Sequence, residues 1–144
     1  MAEVDWHAVP GPAGWYDPDT VGPALRDLAA ATSVREASSP SSVLFNSGVL
    51  HEHSGTLYPA AAYAAPALLD IVEHGHPVVR VIAADLLTYA MEFGPSSDYP
   101  LADGVSVCCA VAAHVRARRA ALTQWPELRR EADRHRPPDS CPVT

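Results

Sequence analysis

Lysine is missing from the 144 residues: all ten basic side chains are arginines, set against 17 acidic ones for a net charge of −7. A balance of that sign argues against a nucleic-acid partner, which asks for a cationic footprint. Long apolar runs are also absent. No segment reaches the roughly 20 residues that would span a bilayer, so no membrane association is expected. The acidic N-terminus has no apolar core of a leader peptide. Cysteine is scarce: Cys108 and Cys109 are adjacent in an expected helix, and Cys141 lies near the C-terminus. Neighbouring helical cysteines pair poorly, and the odd count points to reduced thiols and a cytoplasmic location. No phosphate-cradling glycine loop and no dinucleotide fingerprint occur, so no cofactor is expected. Ser54 follows His53 without the glycine-flanked elbow of a nucleophile. Cys108 and Cys109, in an apolar helix, read as core.

What remains is abundant alanine and helical periodicity in a chain long enough for one domain with its own core. The most legible stretch runs from His53 to Leu87. Thr56 can cap a helix, Pro59 falls in its first turn, and alanines dominate up to Ala67. Pro66 either ends that helix at Ala65 or kinks it. Gly75 is placed to close it in a left-handed conformation, and Pro77 opens the next helix, whose apolar stripe runs from Val78 to Met91. Together they make an antiparallel hairpin.

Either side of this hairpin the pattern continues. Residues 1–16 form a Pro- and Gly-rich arm that should be extended, with Trp6 and Trp15 anchoring it on the domain. A first helix is expected from Asp17 to about Thr32. A second starts at Ser38-Ser39-Pro40 and ends near Glu52, weakened by Gly48. After a turn at Asp98–Pro100, a fifth helix is expected over 101–124, with Val105, Cys108, Val111, Ala112, Val115 and Leu122 on one side. A short charged helix opens at Pro126, the helical domain ends at Arg136, and residues 137–144 are expected to be disordered. Three hairpins are about the minimum for a stable stack.

The second-helix pattern Pro77, Val79, Arg80, Ala83, Leu86, Leu87, after a helix with an internal proline, resembles a HEAT repeat. His53-Ser54-Gly55-Thr56-Leu57-Tyr58-Pro59 before that helix, and Trp15-Tyr16-Asp17-Pro18 before the first, resemble a group of small bacterial HEAT-like proteins. The resemblance covers roughly residues 15–94. It implies an all-α fold, a short α-solenoid of about three stacked antiparallel hairpins. It also implies an interaction module, a scaffold, adaptor or immunity-like protein, with a protein partner on the repeat surface.

Chemistry has fewer footholds. The pairs His51/His53 and His74/His76 have a spacing that can supply metal ligands, but one pair precedes and the other follows a helix, so no shared site and no metal are expected. The loop at His51–Tyr58 should lie at the same end of the bundle as the turn after the fourth helix. That brings His51, His53, Tyr58, Glu92, Asp98, Tyr99 and Asp103 within possible reach. As a catalytic set, His51, His53, Tyr58, Glu92 and Asp98 would suit general acid–base work, in a small enzyme or small-molecule binder of a biosynthetic pathway. The same residues are also what two packed loops need for their own polar groups. The arginines between Val115 and Arg136 read as solvated faces with local pairs of the Glu127–Arg130 and Glu131–Arg134 type.

Overall fold

The computed structural model describes residues 3–135; the tail expected to be disordered lies outside them. The described chain is mostly helical. Six α-helices are joined by short turns and five two-residue strands. The helices are α1 (Pro18–Ala30), α2 (Val34–Val43), α3 (Ala60–His74), α4 (Pro77–Glu92), α5 (Val107–Ala117) and α6 (Pro126–Arg134). Consecutive helices pack as pairs: α1 on α2, α3 on α4, α5 on α6.

The centre is α3. Nine of its fifteen residues are buried, from Ala60 to Val72, and it touches α1, α4 and α5. Its alanines let the neighbouring backbones come close, while Leu68, Leu69, Ile71 and Val72 fill the space at its far end. Pro66 does not end it, and the helix runs through to His74. The lost hydrogen bond to the Ala62 carbonyl is tolerated in a helix held by packing on three sides. Gly75 ends α3 with φ −71°, not left-handed as expected. Glycine is needed there for space: a Cβ would lie 2.6 Å from the Ile71 carbonyl oxygen.

Three expectations are corrected. The second helix begins at Val34, not near Ser38. Ser33 caps it by accepting from the Glu36 amide, and the Glu36 carboxylate returns to Thr32, the Ser-x-x-Glu capping arrangement. Pro40 therefore sits inside α2, which passes into a π-helical turn at Leu44–Gly48. Thr56 does not cap α3. It belongs to a small sheet in which β1 (Leu50–His51) pairs antiparallel with β2 (Thr56–Leu57), and β2 runs parallel to β3 (Gly94–Pro95). The fifth helix, expected over 101–124, spans only Val107–Ala117. β4 (Leu101–Ala102) and β5 (Val105–Ser106) form a hairpin first. Its turn, Asp103-Gly104, has both φ angles positive, at 50° and 80°, as a two-residue hairpin turn of type I′ requires.

The arm is more than an extended strand. Trp6–Ala8 forms a 3-10 turn, Val9 and Tyr16 are buried, and the Tyr16 hydroxyl donates to the Trp6 carbonyl at 2.9 Å. Trp6 packs against the core, whereas Trp15 stays 49 % exposed. No helix among the described residues is long and apolar enough to cross a membrane.

Candidate functional site

The two loops do meet through β2 and β3, and the Ser96 amide donates to the Leu57 carbonyl at 3.1 Å. The side chains at this junction are largely occupied with the loops themselves. Tyr58 is fully buried, its hydroxyl donates to the Asn46 carbonyl at 2.8 Å, and burial pushes its pKa up to about 12. His51 Nδ1 lies 2.8 Å from Ser54 Oγ, and its ring meets Trp15 edge-on at 4.5 Å. The His53 ring is 6.3 Å from that of His51 and exposed, as are Glu92 and Asp98. Tyr99 donates its amide to the Ser96 carbonyl within the same turn. Of the seven residues considered, only Asp103 lines an apolar cavity.

That cavity lies elsewhere, between α1, α3, α5 and the arm, with the β4–β5 hairpin at one end. Its volume is about 780 Å³. The floor is apolar and made of small residues: Ala62, Pro66 and Ala67 from α3, Ala110 and Ala113 from α5, and Leu25 from α1. Small side chains on α3 and α5, and Gly22 on α1, are what leave the space open. Val4 and Trp6 of the arm close one side. Gly22 belongs to this wall because Trp6 lies over it, and a Cβ there would sit 3.2 Å from the indole nitrogen.

The polar groups are few. Tyr63 and Asp103 are coupled: burial raises the pKa of the phenol first, followed by its hydrogen bond to the Asp103 carboxylate and that group's charge. The phenol thus remains a donor across the physiological range. His114 keeps an exposed edge, yet burial of the rest of the ring, and then the Arg118 guanidinium, lower its pKa below 6.5. It is therefore a neutral imidazole near pH 7, able to accept a hydrogen bond or a proton. Arg26 and Glu3 face each other at 3.9 Å on the rim.

The His114 shift has a consequence for stability. Its folded pKa lies below the unfolded value, so below about pH 6.5 the unfolded chain binds more protons. Stability from this group is present above that pH and is lost as pH falls toward the folded pKa. His114→Gln is expected to flatten the stability–pH curve in that interval. Urea unfolding at several pH values checks this, and parallel curves for the two proteins would refute it.

Metal ligation and the arginine cluster can be placed too. His76 caps α4, its Nδ1 accepting from the Val78 amide at 3.2 Å. Among the described residues, the group with ligand-like spacing is Cys108, Cys109 and His135. Cys109, however, is disulfide-bonded, which corrects the expectation of reduced thiols throughout; Cys108 is free. Arg118 bridges Asp70 at 2.6 Å and Glu73 at 2.9 Å, tying α5 to α3. Arg119 forks onto Asp133, and Arg134 reaches Glu131 at 2.9 Å. Arg116 donates to the Ala132 carbonyl at 2.8 Å. These arginines are occupied by local partners.

The cavity was missed from sequence because its lining comes from three helices and a turn that are distant in the chain. One signal pointed toward it: Asp103-Gly104 is a strong hairpin dipeptide, which lifts Asp103 out of a helix and onto a turn. Comparison of the chain with protein-family models, curated proteins and solved structures gives no match.

Proposed function

We propose that this chain is a small-molecule-binding protein whose ligand occupies the cavity between α1, α3 and α5. The observation that carries the reading is the cavity itself. It measures about 780 Å³, with an apolar floor and the Tyr63–Asp103 pair and His114 at its edge. Ligand sites typically enclose about 300–1,000 Å³, are mostly apolar and hold a small number of placed polar groups. The architecture we propose beside it is a stack of three hairpins of the HEAT-like kind. The first helix of each pair, α1, α3 and α5, contributes to the cavity wall. An interaction module has thinner footing: Val34 and Val81 are 72 % and 51 % exposed, and single exposed apolar side chains are ordinary.

Titration with the neutral fluorophore N-phenyl-1-naphthylamine tests the proposal. Saturable one-to-one binding in the micromolar range is expected. Ala113→Trp, which fills the cavity from α5, should weaken it by about tenfold or more, a change of about 1.4 kcal/mol. Ser39→Trp, on an exposed face of α2, should leave it unchanged. Non-saturable binding, or equal affinity in both variants, would contradict the proposal.

A further inference from the structure

We infer that the ligand is an extended apolar amine, with its protonated head beside Asp103 and its chain running along α3 beneath Leu25 and Arg26. The inference rests on the cavity being a ligand site and adds the chemical class. The first observation is continuity. A second hollow of about 310 Å³ shares Leu25, Arg26 and Ala67 with the first, and continues past Ala29, Ile71 and Gly75. From Ala62 to His74 the two follow α3 for about 18 Å, at 1.5 Å per residue. A compact ligand would leave the second hollow empty, whereas a chain fills both.

The second observation is charge. Among the described residues, Arg26 is paired with Glu3, and at the far end Asp70 is paired with Arg118. Asp103 has no cationic partner among the described residues. It stands exposed at the cavity edge beside the Tyr63 phenol, so its charge is met by water and is open to a cationic head. His114, neutral near pH 7, adds an acceptor and no positive charge. An anionic head would meet Asp103 and find one cation already facing a glutamate. An ammonium head would find an unpaired carboxylate and a neutral imidazole, with apolar wall beyond.

Displacement of bound N-phenyl-1-naphthylamine by dodecylamine, 1-dodecanol and dodecanoate tests this. Dodecylamine should act at concentrations about tenfold or more below dodecanoate, because attraction to one carboxylate is replaced by repulsion. Dodecanol should fall between them. Asp103→Asn should erase the preference. Asparagine tolerates the positive φ at this turn, so the hairpin is kept. Ala29→Trp, which obstructs the second hollow, should weaken dodecylamine and spare hexylamine. Equal displacement by the three heads, or unchanged dodecylamine binding in Ala29→Trp, would overturn the inference while leaving the ligand site standing. Failure of the fluorophore itself to bind would remove the ligand site, and this inference with it.

Discussion

Leu69→Ala is expected to cost about 3 kcal/mol of unfolding free energy. Leu69 is fully buried in the C-terminal half of α3, the helix that touches α1, α4 and α5. Removing three methylene-equivalents from a closed site forfeits their transfer energy and leaves a void. Together these amount to roughly 2–5 kcal/mol in well-packed cores. Collapse of the void is opposed here because α3 is held by packing from three helices. Urea unfolding with an unchanged m-value and a lower midpoint would show the effect. A loss under about 1 kcal/mol would mean that the surrounding helices relax into the space and that α3 is not a closely packed centre.

The second large effect is expected at Gly75. Its backbone is ordinary, with φ −71°, so an L-residue is not excluded by conformation. Space excludes it: a Cβ would lie 2.6 Å from the Ile71 carbonyl and 3.0 Å from both Ile71 Cγ2 and Val79 Cγ2. Ile71 and Val79 are buried, and the carbonyl also accepts the Gly75 amide at 2.7 Å. Overpacking of this kind costs about 1–3 kcal/mol. Loss of chain freedom in the unfolded state returns about 0.4–1 kcal/mol. The steric cost wins, and Gly75→Ala should destabilise by about 2 kcal/mol, lowering Tm by about 6 °C. An unchanged or higher Tm would show that the α3–α4 corner yields, and the hairpin geometry would need revision.

The helices were the most readable part of the chain, and the reason is physical. Burial on one side imposes a period, and that period is visible over the sixteen residues of α4. The α3–α4 hairpin was legible for this reason, with the Pro77 start in place. The two-residue strands could not be read the same way, since two residues carry no period. They needed turn chemistry instead. Asp103-Gly104 offered it, but the apolar spacing from Val105 to Leu122 continued the helix pattern backwards across it. In the second helix, Pro40 drew the expected start toward itself because proline favours first turns, whereas the cap is at Ser33. Here the packing of Ala37 and Pro40, both buried, overrides that preference.

The candidate site was less legible than the fold. Loop residues rich in histidine, tyrosine and carboxylate drew the reading to His51–Tyr58, where turn chemistry accounts for much of the polarity: the Ser54 hydroxyl bonds both His51 and Thr56. The cavity is built from residues that carry little signal individually, such as Ala62, Ala110 and Ala113. Their effect is to be small at the same place in space. Small size becomes meaningful only once α1, α3 and α5 are known to face one another.

The most direct test of the ligand site is backbone amide NMR of the labelled protein titrated with N-phenyl-1-naphthylamine. Shifts should cluster at Gly22, Tyr63, Ala67, Ala110, Ala113 and His114, on the three helices that line the cavity. Shifts confined to His51–Tyr58, or scattered over the surface without saturation, would contradict the account.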